Sequence, residues 1–324
     1  MFSAIQPSGT ITLGNYLGAL RHWINLQKEY FCIFALADLH TITVRQEPLK
    51  MRKNVLEAYA LLIACGIDLD KCIFFIQSHV KAHSELAWIL NCYAQFGELA
   101  RMTQFKDKSQ NHKDNINAGL FSYPCLMAAD ILLYKSDFIP IGADQKQHVE
   151  LTRNIAERFN GIYGEVFSIP EPYIAKTGAK IMSLQDPSKK MSKSDKNKNA
   201  WISILDNKDA IIKKFGRAIT DSEAIVRSRE GKDGINNLIS IYSCATGKNL
   251  DEIEEEFSGK GYGTFKAAVA EAVWSHIEHI QNRFKEIIDD KPYLEKCYRE
   301  NAEKASYLAE NTLKKVKKKI GFII

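Results

Sequence analysis

No two cysteines in the 324-residue chain are spaced Cys-x-x-Cys, which removes the usual sequence support for a structural zinc site. The seven cysteines stand apart, at 32, 65, 72, 92, 125, 244 and 297. An odd, dispersed set fits reduced thiols better than a disulfide framework. No apolar run is as long as a membrane span, and Met1-Phe2-Ser3-Ala4-Ile5 lacks the charged start and cleavage site of a secretory signal. A cytoplasmic protein without membrane attachment is therefore expected. Internal repeats and low-complexity linkers are also missing. Gly259-Lys260-Gly261-Tyr262-Gly263 imitates a phosphate loop, but no strand precedes it and no GKS or GKT follows, so it reads as a connection between helices. A large excess of one charge is missing as well: the net charge of +5 permits an RNA partner without arguing strongly for one. What is present is 45% hydrophobic residues and enough length for two domains.

One polar stretch stands out. Asp186-Pro187-Ser188-Lys189 leads into Lys190-Met191-Ser192-Lys193-Ser194, and Pro187 argues against a helix through its start. A loop carrying ammonium groups and hydroxyls can close over a polyphosphate and neutralise charge moving to a leaving group. A solvated basic loop is the plainer reading. Near the other end, Phe2–Ile5 is a strand candidate, Gln6-Pro7-Ser8-Gly9 a turn, and Leu13, Leu17, Leu20 and Ile24 recur at helical spacing. Thr10 and Thr12 are possible N-caps, and Gly14 lets another group approach the backbone closely. Such a helix start offers N–H groups and a positive dipole end to an anion. An ordinary strand–helix unit without a ligand has the same pattern.

Phe31–Ala37 reads as a buried parallel strand, ending at Asp38-Leu39-His40, where open α/β sheets place ligands. His40 is a substrate contact or a satisfied structural histidine. A helix over 48–65 is expected to put Leu49, Leu56, Tyr59 and Ile63 on one face. Ile73–Ile76 is the next strand and 82–96 the next helix. Alternating strands and helices imply a Rossmann-like doubly wound parallel sheet. Pro124 suits the first turn of a helix through Tyr134. In that helix Asp130 has little nearby in sequence to pair with, and an unpaired buried carboxylate is costly. Tyr123, Met127 and Asp130 are spaced i, i+4, i+7 and share a face. A phenol, a soft apolar filler and an acceptor suit an indole, which has a single N–H donor. An Asp on an exposed stripe is the competing reading. Phe138–Ile141 is a further strand, running into Gly142-Ala143-Asp144-Gln145. Past Asn199 strand-like runs vanish, and helices are expected near 206–215, 234–245, 249–257, 263–288 and 299–319.

The five residues from Lys190 to Ser194 match the KMSKS signature of class I aminoacyl-tRNA synthetases at every position. Thr12-Leu13-Gly14-Asn15, within Gly14-Asn15-Tyr16-Leu17-Gly18-Ala19, resembles the T-x-G-N form that replaces HIGH in the tryptophanyl branch. Two motifs in the right order, far apart in the chain, are much more specific than either alone. Ala4 departs from the usual Gly. The resemblance implies a catalytic domain over 1–199, a helical anticodon-binding domain over 200–295, and a C-terminal helix, 296–324, packing back on the first. It implies attachment of L-tryptophan to tRNA(Trp) through an adenylate, with ATP as substrate, Mg²⁺ on the phosphates and a homodimer.

The same resemblance carries the site. Lys190, Lys193 and Lys108 (Lys106 being chemically equivalent to the last) act at the triphosphate, with Thr12 and Asn15. Gln6, Pro7, Ser8, Gly14, Gly142, Ala143, Asp144, Ile181, Met191, Ser192 and Ser194 line the ATP site, Ala143 standing where some relatives have Glu. Asp130 accepts from the indole N–H, Tyr123 and Gln145 hold the ammonium, and Met127, Phe2, Ile139, Ile141 and His40 complete the tryptophan pocket. No metal ligand set is implied. The basic tail Lys314–Lys319 touches RNA or is a solvated helix end. The rivals are a tyrosyl-tRNA synthetase, a nucleotidyl transferase without tRNA, and a non-catalytic RNA-binding paralogue.

Overall fold

The computed structural model describes residues 1–7, 9–103, 116–142, 145–173 and 180–324. Strands β1 (Phe2–Ile5), β2 (Cys32–Leu36) and β3 (Cys72–Ile76) form a parallel sheet in the order β1-β2-β3. Phe2 sits opposite Ile33, and Cys32 opposite Cys72. Every residue of β2 and β3 is buried, as the unbroken apolar runs demand of strands covered on both faces. Side chains alternate between two cores: Cys32, Phe34, Leu36 and Phe74 enter one, while Ile33, Ala35, Ile73 and Phe75 enter the other.

The helices that cover these faces begin with α1 (Leu13–Asn15), a π-helical stretch (Tyr16–Leu20) and α2 (Arg21–Leu26). A single regular helix was the expectation here; the widened turn contains Gly18. Next come α3 (Asp38–Thr41), α4 (Pro48–Ala64), α5 (Ala82–Asn91) and α6 (Phe96–Ala100). In α4 the expected common face is half right. Tyr59 and Ile63 are fully buried, but Leu49 is 72% exposed, because only the C-terminal half of the helix lies on the core. The expected helix 82–96 breaks after Asn91, and a separate capping box at Gln95 and Glu98 starts α6.

Helix α7 (Ala118–Leu132) begins earlier than Pro124 suggests, because the Asn117 side chain caps it by accepting from Leu120 N. Pro124 is therefore inside the helix, where its missing N–H and ring are normally unfavourable. That start places Tyr123, Met127 and Asp130 within one continuous helix. After α7, β4 (Phe138–Pro140), α8 (Lys146–Tyr163) and β5 (Glu171–Tyr173) follow, with β4 and β5 paired in parallel.

β4 and β5 form a two-stranded sheet of their own, and β4 lies beside β1, whose hydrogen-bonded neighbour among the described strands is β2. The chain thus builds outward from β1 through β2 to β3, then returns to β1. That reversal is a topological switch point, and a crevice opens there at the carboxyl ends of the strands.

Beyond residue 200 the chain is helical: α9 (Lys208–Gly216), α10 (Asp233–Thr246), α11 (Leu250–Glu256), α12 (Tyr262–Asp289) and α13 (Lys291–Ile320). α9, α10 and α12 share a core with α4 and one face of the sheet, through Ile211, Phe215, Leu238, Phe265 and Val269. α13 starts at an Asp290 cap with Pro292 in its first turn, and lays Ala302, Ala305, Ala309, Leu313 and Val316 on the opposite face, against β3 and α5. This i, i+3, i+4 spacing of mostly small residues lets a long helix lie close.

Candidate active site

The Thr12–Asn15 stretch is organised by its own side chains. Thr12 Oγ1 accepts from Asn15 N (3.1 Å) and donates to Asn15 Oδ1 (2.8 Å). Thr12 N donates weakly to the same oxygen. Leu13 N donates to Ile202 O at 2.8 Å, and Ile204 N to Ile11 O at 3.1 Å, which tie this turn to the segment entering the helical part. The expected row of open N–H groups at this helix start is therefore partly closed: Leu13 and Asn15 have protein partners. Thr12 is 1% exposed and holds Asn15, and it is Asn15 that faces the cavities.

The Lys190–Ser194 stretch leaves a short hairpin. Met182 and Lys190 bridge, Ser183 N donates to Lys189 O, and Met191 N donates to Ile181 O at 3.0 Å. Asn237 of α10 secures this hairpin, accepting from Met182 N (2.8 Å) and donating to Met182 O (2.9 Å). Met191 is 4% exposed and is the anchor. A Cβ on residue 14 would stand 3.2 Å from the Met191 Cβ and 3.5 Å from the Ile181 Cβ. The close approach that Gly14 permits is thus the approach of the loop itself. Lys190, Ser192 and Ser194 are exposed, with the two serine hydroxyls 2.8 Å apart. Lys193 is half-buried, and burial pushes its ammonium below the usual lysine range.

Two cavities meet between these elements. One, of about 470 Å³, opens at the switch point between β1 and β4. Phe2, His40, Tyr123, Met127, Asp130, Ile139, Ile141 and Gln145 all line it, so the expected tryptophan pocket residues come together, and Gly142, expected in the ATP site, lines it too. The other, of about 250 Å³, is lined by Gln6, Asn15, Met191, Ser192 and Lys193. Ile5, Gln6 and Asn15 border both, so an apolar chamber adjoins a basic one. Pro7, Gly14 and Ile181 are packed nearby without lining either cavity, and neither Lys190 nor Ser194 does. Ser8, Lys106, Lys108, Ala143 and Asp144 lie outside the described residues.

At the apolar chamber's base the structure corrects one expectation. Asp130, 2% exposed, is not short of partners. Gln77 Nε2 and His83 Nδ1 each lie 2.6 Å from Asp130 Oδ1, and His40 Nε2 lies 2.7 Å from Oδ2. His83 Nε2 is in turn 2.8 Å from the Tyr134 hydroxyl. Burial alone would raise the Asp130 carboxyl, but the His40 and His83 imidazoles outweigh it and hold the group at about 2. Sequence reading missed Gln77, His83, Tyr134 and also His148, whose Nε2 is 2.7 Å from the Tyr123 hydroxyl. The available signal was position: His40 and Gln77 follow the carboxyl ends of β2 and β3, and His83 opens α5.

A doubly wound sheet, a hairpin carrying KMSKS lysines and a chamber at the switch point define a class I aminoacyl-tRNA synthetase. The profile of the family described as "tRNA synthetases class I (W and Y)" matches residues 1–278, and the chain belongs to that family. Within it, the chain is 57% identical over 324 residues to the tryptophan–tRNA ligase of Clostridium tetani (strain Massachusetts / E88), spanning 100% of this chain and 96% of that protein. Its fold is similar to the tryptophanyl-tRNA synthetase of Mycoplasma pneumoniae (TM-score 0.89, 34% identity, 99% of this chain and 97% of the other). It is also similar to the Campylobacter jejuni tryptophanyl-tRNA synthetase solved with ADP and tryptophan (TM-score 0.87, 32% identity, 99% of each). The tyrosyl-tRNA synthetase of Aeropyrum pernix, at 17% identity and a TM-score of 0.67, shares the fold.

Proposed function

We propose that this protein attaches L-tryptophan to tRNA(Trp) at the expense of ATP. The observation that carries the reading is a buried, ionised carboxylate, Asp130, bordering an apolar chamber that adjoins a second one bearing Lys193. The indole ring occupies the first chamber and donates its N–H to Asp130. Gln145 and Tyr123, on the same wall, take the ammonium. The tryptophan carboxylate oxygen attacks the α-phosphorus of ATP, the bond to the β-phosphate oxygen breaks, and pyrophosphate leaves. A terminal ribose hydroxyl of the tRNA then attacks the acyl carbon and AMP leaves, its proton passing to solvent. No enzyme nucleophile is required; positioning and charge stabilisation suffice. Lys190 and Lys193, with Asn15, act on the charge that develops at the phosphates. Mg²⁺ arrives on the triphosphate, held mostly by ATP and water. Among the described residues no helix is long and apolar enough to cross a membrane, and we place the reaction in the cytoplasm, with its substrates.

The chain divides, in this reading, into a catalytic unit over 1–199, a unit over 200–295 that contacts the anticodon, and a helix over 296–324 returning to the catalytic unit. ATP–pyrophosphate exchange tests the first step: tryptophan should support it and tyrosine should not. An enzyme that exchanges with neither would be the RNA-binding paralogue, and exchange with tyrosine alone would make it a tyrosyl enzyme. Anticodon changes in the tRNA should impair charging while leaving exchange untouched.

A homodimer completes the proposal. Trp88 on α5 and Phe96 on α6 are 72% and 75% exposed, and the Phe96 ring lies 5.0 Å from that of Phe121. Large aromatic rings left in water on neighbouring elements fit a contact with a second copy. Sedimentation should give twice the chain mass of 36.8 kDa, and Trp88→Glu should shift the population toward monomer. A monomeric wild type would remove this part.

A further inference from the structure

Asp130 has room for four hydrogen bonds, two per oxygen. Gln77 and His83 saturate Oδ1, and His40 occupies half of Oδ2. The carboxyl carries no proton of its own, since its pKa is held at about 2, so each neighbour must donate. His83 therefore donates through Nδ1, and its Nε2 lies 2.8 Å from the Tyr134 hydroxyl, which burial keeps protonated. His83 is 0% exposed and does not line the cavity. Its ring is held between Phe75 and Tyr134, at 5.6 Å from each.

We propose that His83, locked by Tyr134, is a positioning and specificity-determining residue: it fixes the Asp130 carboxylate so that Oδ2 alone keeps an acceptor site for a ring N–H. This rests on the reading that Asp130 receives the indole N–H. His83 never touches the substrate. It acts by preventing the carboxylate from rotating and by making Oδ1 unavailable, so a ring without a donor gains nothing from the site. Without this lock the carboxylate is no longer confined to one orientation, and the energy of the N–H contact is partly lost to ordering it.

The test measures pyrophosphate exchange by wild type, His83→Phe, His83→Asn and Tyr134→Phe with tryptophan and with its benzothiophene analogue, which lacks the N–H. His83→Phe should lower kcat/KM for tryptophan by about tenfold, the scale of one buried hydrogen bond, mainly through KM. The loss on the analogue should be at least severalfold smaller. His83→Asn, whose side-chain amide can donate from nearly the place of Nδ1, should recover most of the preference. Tyr134→Phe frees the imidazole and should reduce the tryptophan-to-analogue ratio severalfold without deleting His83, which keeps the test decisive if His83→Phe fails to fold. Equal losses on both substrates, an unchanged ratio in Tyr134→Phe, or no recovery in His83→Asn would overturn the proposal. Failure of the underlying reading looks different: the wild type itself would then show no preference for tryptophan over the analogue.

Discussion

Lys193→Ala is expected to slow formation of the adenylate by about 10²–10³, the scale for losing one group that stabilises transition-state charge. Lys193 borders the basic chamber together with Gln6, Asn15 and Ser192, and does not line the apolar one. Tryptophan affinity should therefore hardly change, and kcat of exchange should carry the loss. The half-buried setting adds a pH signature. Burial disfavours the ammonium and lowers its pKa, and only the ammonium can neutralise a leaving pyrophosphate. Activity should be complete below that lowered pKa and fall as pH rises through it, before the ordinary lysine range is reached. In Lys193→Ala that alkaline fall should disappear along with most of the rate. Stopped-flow measurement of adenylate formation across alkaline pH reads both effects. A mutant with a normal rate and weakened tryptophan binding would instead put Lys193 in the amino-acid site.

How much of this was legible in the sequence depends on the range of the interactions involved. β2 and β3 were legible because parallel strands buried on both faces must be apolar throughout, and Cys32–Leu36 and Cys72–Ile76 are. β5 was not: it is three residues long and contains Pro172, so it has no pattern of its own and exists because β4 offers it a partner. Leu49 carried the right spacing and the wrong burial, since periodicity defines a face but not how far along the helix the core extends. The site divides the same way. Tyr123, Met127 and Asp130 share a helical face, a local fact that spacing alone gives. The donors around Asp130 come from His40, Gln77 and His83, at sequence separations of 90, 53 and 47. Only the strand order brings those three together, at the carboxyl ends of β2 and β3 and the first turn of α5. A carboxylate that looked unpaired in its helix thus turned out to be the centre of a network.

That network changes what removal of the carboxylate should do. Asp130→Ala leaves the donors of His40, Gln77 and His83 without their acceptor, at a cost of about 1–3 kcal/mol for each one that water does not reach. The variant should melt lower than wild type, and its activity alone would say little. Asp130→Asn keeps the volume and can keep an acceptor toward Gln77 and His83, but it turns an amide N–H toward the place where the indole N–H belongs. It should hold more of the stability while losing as much recognition. In either variant kcat/KM for tryptophan should fall by about tenfold to several hundredfold, the range for an unpaired buried donor opposite a lost charged acceptor. The benzothiophene analogue should lose much less, and the KM for ATP should hardly move, because Asp130 borders the apolar chamber and not the basic one. Acid should separate the variants from wild type as well. The Asp130 pKa is depressed from 3.8 to about 2, so its contribution to stability is fully present above 3.8 and is lost as pH falls toward 2. Asp130→Asn has no carboxyl to protonate, and its melting temperature should fall less steeply across that window. Equal losses on tryptophan and on the analogue in both variants would mean that Asp130 braces β2, β3 and α7 against one another and does not read the indole.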